Sequence, residues 1–398
     1  MRSVLIFLVA QPYFIKEIEM INDKVVETGP DFKQNNLTAN RYIAPAQEGD
    51  PVLGPLKMLP GTWANIRAEH RTDEDDGEFI AEGTLAGTGL SPLDGRGWNL
   101  IALPFIREGG GPPYRLLMNQ YNEVLHFDTV DDKVPNRGIN FGTGENTDQS
   151  VAALDYTQRI RQIAASDDAD SGKALEDKLP IHHEPGFFLH MKEQTIEDFT
   201  IARLAAIPHG NAANAVGKFI EIDGPPTIPP ISGMPEGAST FDIVDAAKAD
   251  FPEEAERRYL APYRHFIDDP FLGVLAPPFP GFEPLDANNL LRLGLQGIVN
   301  KVTKTTELVL DTDAMEAGIV NIPFIERQAD ASIMRSTFWI MELDEVGPFG
   351  EPRLVMAYSQ LVMLDFFQRR DGRDGLIRWP HISINMMEKV LPAQAGSM

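Results

Sequence analysis

The stretch RLVMAYSQLVMLDFF, Arg353–Phe367, constrains this chain most. Side chains of an extended strand alternate between two faces, and here neither face is polar. Leu354, Met356 and Tyr358 fall on one face; Val355, Ala357, Leu361 and Met363 fall on the other. A strand with one wet face does not carry that pattern. It needs cover on both sides. A sandwich interior gives that cover. So does a closed barrel whose hollow holds an apolar ligand and whose outer wall is overlaid by an added segment.

Similar runs fill much of the chain. FIAEGTLAGTGL, GWNLIALPFI, YRLLMNQYNEVLHFD, VAALDYTQRIRQI, GFFLHM, TIARLAAIPHG and AVGKFIEID follow one another between residues 79 and 223. They are short, rich in branched and aromatic residues, and separated by Gly, Pro and Asp clusters. Then GPPTIPPISGMPEG, Gly224–Gly237, brings five prolines that neither a strand interior nor a helix accepts. TFDIVDAAKADFPEEAERRY (Thr240–Tyr259) and LDANNLLRLGLQGIVNKV (Leu285–Val302) read as helices, with LAPPFPGFEP ahead of the second. Strands resume with TTELVLDT, STFWIMELD and the stretch above. Three closing strands make a poor domain by themselves. The expectation is therefore a mainly β, antiparallel up-and-down barrel of about ten strands over residues 1–398. Residues 222–300 form a Pro-rich, partly helical insertion packed on its outside or mouth, and residues 391–398 form a flexible tail.

The 398 residues include 35 Lys and Arg against 59 Asp and Glu, a formal charge of -24. Phosphate backbones and anionic membranes require a basic patch, so neither nucleic acid nor membrane is expected as a partner. The chain has no cysteine, which excludes disulfides, thiolate zinc sites, iron–sulfur clusters and thiolate-ligated haem. The opening MRSVLIFLVA is too short to span a bilayer and lacks a clean cleavage site after it. A soluble, cytoplasmic protein is the expectation. The oligomer stays open, a homodimer included.

Ionisable residues concentrate in two places. His381 stands in RWPHISINMMEKV, Arg378–Val390, on a segment that otherwise reads as core. It is either a packed residue or a ligand to a metal or cofactor. In an extended strand Ser383 and Asn385 share its face, and a ligand histidine needs its second nitrogen held by an acceptor. IHHEPG places His182 and His183 side by side, hence on opposite faces, so they cannot chelate one ion. Whichever faces a cavity is a candidate general base or hydrogen-bond donor. Glu184 either pairs with a basic neighbour such as Arg159 or serves the pocket. His209 precedes a Gly-Asn turn signal at a strand end. GTGLSPLDGRG lacks dinucleotide-loop spacing, and HRTDEDDGEF lacks the bidentate glutamate of a calcium loop and reads as a solvated loop.

Five motifs in order carry a family resemblance: LPGTW (Leu59–Trp63), LDYTQR (Leu154–Arg159), PIHHEPGFFLHM (Pro180–Met191), TIARLAAIPHGN (Thr200–Asn211) and WPHIS (Trp379–Ser383). The series resembles the nitrobindin-like haem-binding β-barrels, which are lipocalin-like relatives in shape of the fatty-acid-binding proteins. Gly61, Thr62 and Trp63 match the opening strand; Tyr156, Gln158 and Arg159 match the second pattern. His182, Glu184 and Gly186 match the third, and Pro208 and Gly210 the fourth. His381 falls where the proximal haem ligand belongs. The resemblance covers about half of the chain; residues 222–300 have no counterpart in it.

The resemblance implies ferric haem b in an apolar cavity, with His381 as the metal ligand and Trp379, Met386, Tyr156 and His209 as cofactor contacts. It implies reaction with nitric oxide, peroxynitrite or peroxide, as a peroxynitrite isomerase-like or peroxidase-like enzyme if the protein is one. His182, His183 and Arg159 are then the catalytic candidates, a base with a nearby cation being what peroxide cleavage needs. The alternative is a fatty-acid-binding-like carrier of a hydrophobic small molecule, with His381 structural.

Overall fold

Alternating apolar runs become strands throughout the described part of the chain. The computed structural model describes residues 51–65, 97–106, 108, 112–168, 179–192, 195–237, 260–275, 279–314, 316–347, 352–369 and 374–392, all within the unit Pro45–Ala393. Their strands are β1 (Gly61–Ala64), β2 (Gly97–Pro104), β3 (Tyr114–Ile139), β4 (Asn146–Asp167), β5 (Pro180–Met191), β6 (Ile201–Ile207), β7 (Asn211–Asp223), β8 (Val302–Asp311), β9 (Gly318–Asn321), β10 (Asp330–Val346), β11 (Pro352–Gln368) and β12 (Leu376–Pro392). The expected strand at Phe79–Leu90, the expected helix at Thr240–Tyr259 and the end of the tail lie outside the described residues.

The sheet closes into an antiparallel barrel of ten staves. β1 and β2 share one stave. β1 lies between Val124–Phe127 of β3 and the end of β12, whereas β2 lies between Tyr114–Tyr121 of β3 and Ile382–Ile384 of β12. β9 pairs off the ring, on the Asn211–Asn214 start of β7. Between β7 and β8 the chain leaves the sheet. Gly224–Gly237 runs without regular structure, as its prolines require, and two helices follow, α1 (Ala261–Asp268) and α2 (Asn289–Gln296). The second expected helix is thus shorter than its apolar pattern: Gly297 and the branched pair Ile298–Val299 end it, and β8 starts at Val302. A third helix, α3 (Pro323–Gln328), follows β9. No described helix is long and apolar enough to cross a membrane.

Strand alternation sorts the side chains into two cores. Leu125, Phe127, Leu154, Phe188, Leu308, Phe338, Met356 and Met387 pack together inside the barrel. The opposite set, Trp98, Leu100, Leu116, Met118, Ile382, Ile384 and Met386, forms the outer face of β2, β3 and β12 and packs under the excursion. Trp98 meets Phe271, Phe279 and Phe282 there at ring separations of 5.3 to 5.9 Å. This outer cover is why strands on that side are apolar on both faces.

One end of the barrel is plugged. A 3-10 turn at Pro51–Leu56 inserts Leu53 and Leu56 beside Leu59 and Trp63, all buried. The Trp63 indole donates to the Leu59 carbonyl at 2.8 Å, and Lys389 Nζ sits over its ring while donating to the Met58 carbonyl. Trp63→Ala empties this plug and should destabilise the protein by about 3–5 kcal/mol. Urea unfolding checks it: the midpoint should fall with an unchanged slope.

Candidate functional site: a histidine-lined hollow

β12 brings His381 to the barrel interior. His381, Ser383, Asn385 and Met387 occupy one face of the strand; Ile382, Ile384 and Met386 occupy the other. Their cross-strand partners on β11 are Val362, Gln360, Tyr358 and Met356. Ser383 and Asn385 therefore do share the His381 face. They do not hold its ring: neither nitrogen of His381 has a hydrogen-bond partner among the described residues.

Two polar networks floor the space beneath it. In the first, the Glu123 carboxylate accepts from Tyr358 Oη (2.6 Å), Gln158 Nε2 (2.7 Å) and Asn385 Nδ2 (2.9 Å). Tyr121 Oη lies 2.9 Å from Tyr358 Oη, within donating distance. Burial raises the Glu123 pKa, and its three donors only partly offset that. In the second, Arg203 donates to Glu184 Oε1 at 2.5 Å, to Tyr156 Oη at 3.0 Å and to Gln360 Oε1 at 2.7 Å. Tyr156 also donates to Glu184. The guanidinium lies 5.3 to 5.8 Å from the ring centres of Tyr156, Phe188 and Phe338. Burial pushes the Glu184 carboxyl up, but Arg203, with His182 and Tyr156, outweighs it and leaves the pKa at about 2. Arg203 is held charged despite its burial.

Gly186 makes the second network possible. It is the cross-strand neighbour of Tyr156, and a Cβ there would meet the Tyr156 ring and the β6 backbone at Leu204. Without one, the phenol lies across β5 and aims its hydroxyl at Glu184.

His182, Gln360, Val362 and His381 face inward yet keep accessible surface, and Ile207 and Ile319 add part-exposed apolar wall beside them. His182 Nε2 lies 3.1 Å from Glu184 Oε2, and the His182 and His209 rings are 5.6 Å apart. His209, on the β6–β7 turn, is exposed and its Nε2 lies 3.2 Å from the Ile181 carbonyl. Protein surrounds His381 closely enough that burial, reinforced by His182 and His209, lowers its pKa to about 3. The imidazole is thus enclosed by protein yet keeps part of its surface accessible. It is neutral at physiological pH, the form a metal requires. Among the described residues no three His, Cys, Asp or Glu side chains converge as metal ligands.

The structure gathers His381, His182 and Tyr156 on inward faces of the barrel, with His209 on the β6–β7 turn beside His182. It does not bring the other candidates there. His183 and Arg159 are cross-strand neighbours on the outer wall, both exposed; each is one residue from an inward position, so the pleat turns it out. The partner of Glu184 is Arg203 rather than Arg159. Met386 is five residues from His381, an odd step, and packs in the outer core. Trp379 packs against Tyr114 (4.3 Å), Phe366 (4.9 Å) and Tyr263 of α1 (6.4 Å), with its indole donating to the Phe366 carbonyl. Sequence reasoning missed Arg203, Glu123, Tyr358 and Gln360. A single arginine between Ile201 and Ala205, on the face those two send inward, was the available signal for Arg203.

These elements define a closed antiparallel β-barrel with one plugged end and a group of histidines at the other. No family model and no curated protein matches this sequence. The crystal structure of Rv2717c from M. tuberculosis is similar to this chain, with 14% sequence identity and a TM-score of 0.32 over 85% of this chain and 97% of that one.

Two outcomes follow from this geometry. Gly186→Ala forces the Tyr156 ring and β6 apart and should cost about 1–3 kcal/mol, seen as a lower urea midpoint. His381 has a folded pKa near 3 against 6.5 for the free side chain. The unfolded chain therefore binds the extra proton between those values, and stability falls as pH drops from 6.5 toward 3. His381→Leu should flatten that slope by up to about 1.4 kcal/mol per pH unit. Denaturant unfolding at pH 7, 6 and 5 reads it, above the range in which Glu184, with its pKa near 2, begins to lose its own contribution.

Proposed function

We propose that the hollow binds haem b, with His381 as the protein ligand to iron and a small diatomic molecule as the second ligand. One observation carries the reading: an inward-facing imidazole, neutral, part-accessible and without a hydrogen-bond partner among the described residues. The residues fit the group. Imidazole is a usual axial donor to haem iron, both His381 nitrogens are uncommitted, and Val362, Ile207 and Ile319 provide apolar wall. When bound, ferric haem would supply an open iron position for nitric oxide, peroxynitrite or peroxide.

The surrounding residues favour ligand binding over peroxide cleavage. Cleavage calls for a base beside a free cation. The guanidinium facing this interior is Arg203, and Glu184 and Tyr156 already hold it. The same pairing weighs against a fatty-acid carrier, whose carboxylate would need that charge. A carrier of a neutral apolar molecule remains the alternative outcome.

Haemin titration of the purified full-length chain tests the proposal. A Soret band saturating at one haemin per chain is expected, with at least a tenfold loss of affinity in His381→Ala. Equal titration of both proteins, or none in either, removes His381 as the ligand. Saturable displacement of a fluorescent apolar probe without a Soret shift would support the carrier.

A further inference from the structure

Beside His381 stands a second arrangement, formed by His182 and His209. His182 Nε2 lies against a Glu184 oxygen, and His209 Nε2 lies against the Ile181 carbonyl. Both partners are pure acceptors: a main-chain carbonyl always is, and Glu184 is a carboxylate because Arg203 keeps it ionised. Each Nε2 must therefore carry the proton and donate it. In the neutral ring that leaves the lone pair on Nδ1. Neither Nδ1 has a partner among the described residues.

We propose that His182 and His209 form a two-imidazole site for a divalent transition-metal ion of the copper and zinc class, each binding through Nδ1. Three features support it. The first is the pairing of each far nitrogen with a carboxylate or a carbonyl, the arrangement that orients metal-ligating histidines and raises their basicity. The second is spacing. An imidazole nitrogen sits about 2.0–2.1 Å from such an ion and its ring centre about 3 Å, so two rings at a tetrahedral angle are about 5 Å apart. The His182 and His209 rings are 5.6 Å apart at an interplanar angle of 32°, close to that spacing. The third is access: His209 is exposed on its turn, and the His182 side chain is 20% exposed. Glu184 in turn is fixed by Arg203 and Tyr156, so the floor of the barrel anchors one ligand of the site. No third His, Cys, Asp or Glu converges on the pair among the described residues. The remaining coordination positions are open to water or a small ligand, and Cu2+ is the ion this nitrogen donor set binds most strongly.

The site is separable from the haem proposal. The test uses the full-length chain stripped with a chelator, titrated with Cu2+ and followed by equilibrium dialysis and electron paramagnetic resonance. Wild type is expected to hold one Cu2+ per chain with nitrogen hyperfine structure. His209→Ala, a change on an exposed turn, is expected to weaken uptake at least tenfold; His183→Ala on the outer wall is expected to leave it unchanged. His381→Ala is expected to keep the copper signal whatever it does to the Soret band. Wild-type chain that takes up no copper, a spectrum without nitrogen ligands, or His209→Ala binding as wild type overturns the inference. So does loss of copper in His183→Ala or His381→Ala, since either would place the ion elsewhere.

Discussion

A charged pair sealed inside a β-barrel dictates what can surround it. Glu184 and Arg203 lie on the inward faces of neighbouring strands, with side chains 0% and 2% exposed. Breaking such a pair by removing one partner costs about 3–5 kcal/mol, because the other charge is left uncompensated. Every remaining donor and acceptor must also be met. Tyr156 and Gln360 meet those of Arg203, and Tyr156 and His182 those of Glu184. Three aromatic rings exclude water from the guanidinium. These demands fix the position of residues from five strands, and through His182 they reach the lip of the hollow. The hollow's shape is thus set from below by electrostatics rather than by apolar packing alone.

The plugged end obeys a different rule. Leu53, Leu56, Leu59 and Trp63 fill the barrel with apolar volume, and the His190 Nδ1 lies 3.1 Å from the Val52 carbonyl beside them. Between plug and hollow stands the Glu123 network, whose carboxyl is stabilised by three donors yet raised by burial. Interior polarity therefore rises along the barrel from a dry end to a histidine-rich end. A barrel packed throughout like the plug would leave no room for a ligand; one polar throughout would not bury enough surface to close. The gradient lets one chain do both.

How much of this was legible follows from period two. The doubly apolar Arg353–Phe367 required cover on both faces, and the proline run from Gly224 to Gly237 supplied the covering excursion. Fold class was readable because both signals are local and redundant. The site was readable only where alternation was applied strictly. In LDYTQR, Tyr156 and Gln158 share a face and Arg159 opposes them. In IHHEPG, His182 and Glu184 share a face and His183 opposes them. In WPHISINMM, Met386 opposes His381. Chemistry suggested grouping Arg159, His183 and Met386 with the site, and the pleat overrides it. Trp379 is a different case: it has the parity of His381, yet its ring stacks on Phe366 and tilts against Tyr114, contacts that depend on neighbours distant in sequence. Arg203 was overlooked because a lone arginine in an apolar strand reads as a side chain reaching for water. Its counter-ion lies on another strand, and no local pattern announces that pairing.

His381 carries the tension within the site. Its ring is surrounded by protein, so charging it is costly, and two further imidazoles nearby raise that cost. A packed histidine would relieve this by donating to a carbonyl, as His209 does to Ile181. His381 has no such partner among the described residues; Asn385 on its face is engaged with Glu123 and Asn65, and Gln360 across the ladder with Arg203. Val362, directly across, has no acceptor in its side chain. A leucine there would pack without the penalty of desolvating two ring nitrogens, so packing alone gives no reason for the imidazole. What the imidazole adds over leucine is a basic lone pair on a neutral, part-accessible ring, and that is the property an electrophilic ligand would use.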